Sequence, residues 1–229
     1  MVKDDDVGKF PKEVIPALKR KLNAEADHAE AEAQIARAQA VAAEIGQRDL
    51  ERKESDYLAG NKFHKVYAFN EVVGASSVGA CISQLNIWSR TDPGCDIEII
   101  FNSPGGAVID GMALYDYFQM LKQKGHKLTT ATFGMAASMA GILLQAGDVR
   151  VIGAESYILI HEISTGAIGK IGELEDVVEF TKKIQRRVLK IFADRSNKPV
   201  SYFEKHWRRM DWWLDSSEAM EIGLVDEVR

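Results

Sequence analysis

The chain has 229 residues, 46% hydrophobic and 28% charged, with a formal net charge of −5. That is enough for one sizeable core plus an appendage, and it excludes collagen-like and wholly disordered chains. The acidic balance offers no general attraction to a polyanion, so nucleic acid is not an expected partner.

Two cysteines, Cys81 and Cys95, belong to no CxxC or Cys/His cluster, so neither a disulfide framework nor a metal site is expected. Both read as free thiols of a reducing compartment. The opening stretch MVKDDDVGKF is acidic where a signal peptide is basic and then apolar. No stretch approaches the roughly 18 apolar residues of a membrane span. The expectation is a cytoplasmic protein without membrane contact.

Residues 22–58 contain no proline, one glycine (Gly46) and a dense mixture of Ala, Glu, Gln and Arg. These are strong helix formers and predict one long helix, or two broken near Gly46. Leu22, Ala26, Ala29, Ala33, Ala36, Ala40 and Ala43 alternate steps of four and three, the spacing of a heptad seam. Such a helix is either an arm that packs on another surface or a solvated helix whose alanines reflect propensity alone. Residues 1–60 are read as a helical arm and 61–229 as the body.

From residue 62 the pattern becomes short strands alternating with helices. Residues 96–101 read as a strand entering the turn Asn102-Ser103-Pro104-Gly105-Gly106, after which Met112, Leu114, Tyr115 and Phe118 repeat with helical spacing. Residues 127–133 read as a second strand, followed by Gly134-Met135-Ala136-Ala137-Ser138 and a small-residue helix over 139–146. Strands are expected at 149–152 and 157–160, the latter ending at His161. A helix follows over about 171–195, with Leu174, Val177, Val178, Ile184, Val188, Ile191 and Phe192 on one face. An amphipathic piece carries Trp207. A last helix spans 216–221, with Ser216 or Ser217 as N-cap and Gly223 as C-cap, before a closing strand over 224–228. Successive strand-helix units argue for an α/β body.

Three features could carry chemistry. Ser138 sits where a strand meets a helix start, among small residues that admit a substrate backbone and beside free first-turn N–H groups that favour negative charge. The plainer reading is a helix cap in a tight turn. The glycines of Ser103-Pro104-Gly105-Gly106 expose N–H groups able to stabilise an oxyanion, or simply make a turn. His161 at a strand end can take a proton from serine near neutral pH, or can merely bond a backbone carbonyl. His28, His64, His126 and His206 have no identifiable serine neighbour and read as surface residues.

Four stretches in order, Phe101-Asn102-Ser103-Pro104-Gly105-Gly106, Gly134-Met135-Ala136-Ala137-Ser138-Met139-Ala140, Ile160-His161 and Glu218-Ala219-Met220-Glu221-Ile222-Gly223-Leu224-Val225-Asp226, resemble the Clp protease proteolytic subunit. The resemblance implies the spiral of ββα units shared with crotonases and a Ser-His-Asp triad in that chain order. By match, Ser138 is the nucleophile, His161 the base and Asp211 the acid, with Asp215 and Asp194 as competitors. The N–H groups of Gly106 and Met139 match the oxyanion hole. Gly105, Val108 and Ile109 match the substrate-binding edge, read as a strand edge on which an extended peptide is laid.

The resemblance further implies a polypeptide substrate, no metal or organic cofactor, and a homo-oligomer joined through the helix near 171–195. The family's short N-terminal segment serves a pore engaged by an ATP-driven unfoldase. Here some sixty residues precede the body, so that partnership does not carry over by match. Such an addition would suit a divergent member, as in a phage or prophage, with the arm as a targeting or assembly element. The competing readings are a crotonase-type acyl-CoA enzyme using Gly106, a serine-lysine dyad recruiting Lys170 or Lys127, and a catalytically silent peptide-binding or shell-forming subunit.

Overall fold

The computed structural model describes residues 11–229, so the acidic N-terminal stretch lies outside the described residues. The chain divides into two compact units between Ala59 and Gly60.

The first unit is one helix, α1 (Ile15–Ala59), of 45 residues, none of them buried. Gly46 does not break it, because a single interior glycine costs only about 1 kcal/mol relative to alanine. The seam alanines are exposed and Leu22 is half-buried. Pairs spaced by four residues, Lys21 with Glu25 and Glu44 with Arg48, line its surface.

The second unit is an α/β body running β1 (Val66–Phe69), α2 (Ala75–Thr91), β2 (Ile97–Ser103), α3 (Val108–Gln123), β3 (Leu128–Ala137), α4 (Met139–Leu144), β4 (Val149–Ile152), β5 (Tyr157–Ile160), α5 (Ile171–Asp194), α6 (Val200–Trp207), β6 (Trp212–Leu214), α7 (Ser216–Glu221) and β7 (Glu227–Val228). The main path of the sheet is β1-β2-β3-β4-β7, all parallel, while β5 joins β3 in parallel and carries β6 antiparallel. Ile97, Ile99 and Phe101 of β2 alternate inward and are at most 1% exposed. The fully buried Phe69, Phe101, Phe118, Phe192, Phe203 and Trp207 dominate the core, each ring worth about 2–3 kcal/mol on burial.

The central strand decides where the site lies. β3 pairs with β4 through Thr129–Thr132 and with β5 through Met135–Ala137, exchanging partners around Gly134. Gly134 has φ +103°, a conformation that glycine adopts without cost, and its bare Cα lies against the Asn102 side chain. The expected end of this strand at 133 is therefore corrected: the glycine bends the strand instead of stopping it.

Other boundaries shift for local reasons. The helix expected over 139–146 closes at Leu144, and the closing strand is confined to Glu227–Val228, since Leu224 and Val225 are drawn into the core. The cap of α7 is Asp215, not Ser216 or Ser217: its side chain accepts from the Glu218 N–H, and Glu218 reaches back to the Asp215 N–H. Gly223, at φ +75°, follows the Ile222 cap in the left-handed conformation. β1 and α2 were not anticipated.

His126 is not a surface residue. It is 3% exposed, bonded through Nδ1 to the Cys95 carbonyl and through Nε2 to Ser89 Oγ, both at 2.9 Å. His206 is half-buried, stacked on Trp212 and bonded to the Tyr202 carbonyl. Both cysteines are free thiols.

The Gly-Leu-Val-Asp closure is anchored by charge. Arg150, 6% exposed, grips Asp226 through Nε and Nη2 at 2.9 and 2.6 Å, and also bonds Gln145 and the Gly223 carbonyl. Burial raises the Asp226 pKa, but the Arg150 hydrogen bonds and charge outweigh it and hold the carboxyl below its ordinary range. Among the described residues no helix is long and apolar enough to cross a membrane.

Candidate active site

Ser138 occupies the junction of β3 and α4 with φ 53° and ψ −120°, outside the regions open to most side chains. Its N–H is bonded to the Leu159 carbonyl of β5 at 2.9 Å, which fixes the turn. Its side chain makes no capping hydrogen bond, so the plainer cap reading does not describe it. A hydroxyl held in a sparsely populated backbone conformation, with no cap to satisfy, is free to face a ligand.

The glycine loop is pressed against this turn. A Cβ on Gly105 would stand 2.5 Å from the Ala137 carbonyl oxygen, 2.7 Å from Ser138 Cβ and 2.8 Å from Met139 N, so only glycine admits the approach. The loop is held from behind. Val73 N–H donates to Gly105 O and Ala107 N–H to Val73 O, both at 2.8 Å, and Ser103 Oγ joins the Glu71 carbonyl to the Gly105 N–H. This one-residue parallel bridge uses Gly105 O and Ala107 N–H, so the Gly106 N–H faces the opposite side. The Met139 N–H, at the first position of α4, has no intrahelical acceptor. Gly111 on α3 leaves room for the Met139 side chain.

A cavity of about 80 Å³ brings together Ser138, His161, Gly106, Val108 and Met139, with Phe192 and Val188 of α5 among its apolar walls. A larger groove, about 650 Å³, runs between α5 and α6 with Lys182, Arg186, Lys205 and Arg208 along it. Glu162 lines both this groove and the Ser138 cavity.

His161 is half-buried one residue past the end of β5, and its Nδ1 lies 2.6 Å from the Glu162 carbonyl oxygen. Asp211 is exposed and lies outside the cavity. The register nonetheless relates them. Ile160 pairs with Trp212 in the antiparallel ladder, so one further step sets His161 opposite Asp211. Of the competitors, Asp215 is committed to capping α7 and Asp194 to an exposed pair with Lys190.

Val108 and Ile109 do not form a strand edge. They open α3, because the chain turns helical directly after Ala107; Val108 lines the cavity while Ile109 is 60% exposed beyond it. Lys127 precedes the far end of β3, on the order of 30 Å of strand from Ser138. Lys170 is exposed at the N-cap of α5, and among the described residues no lysine lines the Ser138 cavity. Glu162 and Val73 were not singled out from sequence, and Ser103 only as the start of the glycine turn. Their roles depend on contacts with segments up to 47 residues away.

A sequence model of the Clp protease matches residues 62–229. An ATP-dependent Clp protease proteolytic subunit of Porphyromonas gingivalis is 31% identical over 186 residues, 80% of this chain and 82% of the relative. The protein of that name from Bacteroides fragilis is 37% identical over 188 residues, 80% of this chain and 88% of the relative. One from Bacteroides thetaiotaomicron is 32% identical over the same share of this chain. A parallel α/β body with this similarity is that of a peptidase. The chain belongs to the Clp protease family.

Proposed function

We propose that the protein is a serine endopeptidase working through Ser138, His161 and Asp211. The observation that carries this reading is the Ser138 turn: a strained, uncapped serine shares one cavity with His161 and with two outward backbone N–H groups. Ser138 Oγ attacks the scissile carbonyl carbon while His161 Nε2 takes its proton. The oxyanion is received by the N–H groups of Gly106 and Met139. The C–N bond breaks as His161 returns the proton to the leaving amine, and water then hydrolyses the acyl-enzyme by the same base. Gly105 and Val108 border the acyl side of the substrate, with Ile109 at the mouth. The steps need only protein groups and water.

The substrate is a polypeptide, and the protein acts as a homo-oligomer, since the relatives are named as subunits of a larger protease. ATP dependence belongs to those relatives' names. Attack on a short unfolded peptide requires no nucleotide, so a fluorogenic peptide should be cleaved without ATP by the wild type and not by Ser138→Ala. Equal rates for the two proteins would overturn the proposal.

A second reading, a catalytically silent subunit, is favoured by one observation. His161 Nδ1 is bonded to a main-chain carbonyl while Asp211 is exposed. Failure of a folded oligomer to react with a fluorophosphonate would support it.

A further inference from the structure

Resting on the peptidase reading above, we propose that Glu162 is a positioning residue that fixes His161 through its carbonyl and the Asp211 turn through its carboxylate. Glu162 stands just beyond the last residue pair of the β5–β6 ladder. Its main chain serves one side of that junction and its side chain the other.

The carbonyl can only accept, so the 2.6 Å contact makes His161 Nδ1 the donor. The lone pair then resides on Nε2, the tautomer that a general base for Ser138 needs. The carboxylate oxygen Oε2 accepts the N–H of Arg209 at 3.2 Å. Arg209 has φ +58°, a left-handed conformation that a non-glycine residue keeps only when its surroundings impose it. The turn is closed by Met210 N–H on the Trp207 carbonyl at 3.2 Å, and Asp211 follows directly. The Glu162 side chain therefore sets where the chain leaving α6 re-enters the sheet, and with it whether Asp211 can come up opposite His161 and take over the Nδ1 proton that the Glu162 carbonyl holds in this conformation.

The same carboxylate borders the basic groove beside Lys182, Arg186, Lys205 and Arg208. A role in charge balance there is distinct from anchoring the turn. Glu162→Gln separates the two, because glutamine keeps an acceptor and loses the charge.

The test is steady-state cleavage of a fluorogenic peptide by the full-length oligomer, comparing wild type, Glu162→Ala, Glu162→Gln, Asp211→Ala and the Glu162→Ala/Asp211→Ala double variant, with Ser138→Ala as reference. Glu162→Ala is expected to lower kcat about tenfold with KM nearly unchanged, and Glu162→Gln to restore most of it, as misplacement of a catalytic pair requires. In the Asp211→Ala background, Glu162→Ala should cost nothing further, since the residue acts through Asp211. A wild-type rate for Glu162→Ala, a Glu162→Gln variant as slow as the alanine, or a full loss persisting in the double variant would each overturn the proposal. A Ser138→Ala protein as active as wild type would overturn the peptidase reading and this inference together, whereas an inactive Ser138→Ala beside an unaffected Glu162→Ala overturns the inference alone.

Discussion

On the proposed nucleophile side of the site, Ser138, itself half-buried, stands in a turn bonded to Leu159 and closed over by Gly105, next to the buried Ala137, Met139 and Ala140. On the proposed base side, His161 and Asp211 stand one residue past the end of a short antiparallel ladder, the first half-buried and the second exposed. Packed interiors admit few alternative arrangements, while ladder ends fray and reposition at small cost. The turn that carries Ser138 is thus packed on core residues, with Ser138 itself half-buried, and the proposed proton-transfer pair is set by a few hydrogen bonds at the rim. Substitutions that disturb the packing of the turn should fail through the fold as well as through kcat, and those at the rim through kcat alone.

The largest expected effect joins the two sides. Ser138→Ala and His161→Ala should each lower peptide turnover by about six orders of magnitude, as loss of a nucleophile or its base does in a working triad. Single-turnover assays that found either variant within tenfold of wild type would break the comparison at its root. Asp211→Ala should cost less, at most ~10⁴-fold, with KM retained and the thermal midpoint unchanged, because the residue is exposed and oriented only through the rim.

Gly105→Ala probes the packed side. The added methyl overlaps the Ala137 carbonyl and Ser138 Cβ, and φ +86° is itself unfavourable by about 1–3 kcal/mol for an alanine. We expect a lower thermal midpoint together with at least ~100-fold lower kcat, since the displaced loop carries the Gly106 N–H. A fully stable but inactive variant would show that the loop is catalytic without being packed.

The smallest effect lies away from both sides. Asp226→Asn should destabilise the body by about 1.5–3 kcal/mol through the lost charged hydrogen bonds to Arg150, leaving kcat near wild type. Because the Asp226 carboxyl is held below its ordinary value, its contribution is complete above about pH 5 and disappears as pH falls through the depressed folded value. In urea melts the gap between wild type and Asp226→Asn should therefore be constant from pH 7 to about 5 and narrow progressively on further acidification. A gap that widened on acidification would contradict the assignment.

Much of this is legible in the sequence. The strand-turn-helix junctions at Gly105-Gly106 and Ser138, the stripe ending in Val188 and Phe192, and the long Ala/Glu-rich helix follow from spacing and propensity. What escaped has physical causes. In α2, Val78, Cys81, Leu85 and Trp88 recur in steps of three and four and are buried, but the interleaved Ser, Gly and Asn dilute the signal. Gly134 reads as a strand breaker, and only the exchange of partners from β4 to β5 reveals a bend. The Asp215-x-x-Glu218 box was open to sequence reasoning, yet Ser216 and Ser217 compete for the same cap. His126 looks like any loop histidine until β3 and α2 close around it. Glu162 was beyond reach, because its partner Arg209 becomes a partner only through a turn 47 residues later.

The central claim is that Ser138 is an activated nucleophile in the protein as folded. Its most direct test is intact-mass analysis of the purified oligomer, and of Ser138→Ala, after incubation with a fluorophosphonate at neutral pH. The account predicts one adduct per chain on the wild type and none on the variant. No adduct on the folded wild type, or an equal adduct on both proteins, would contradict it.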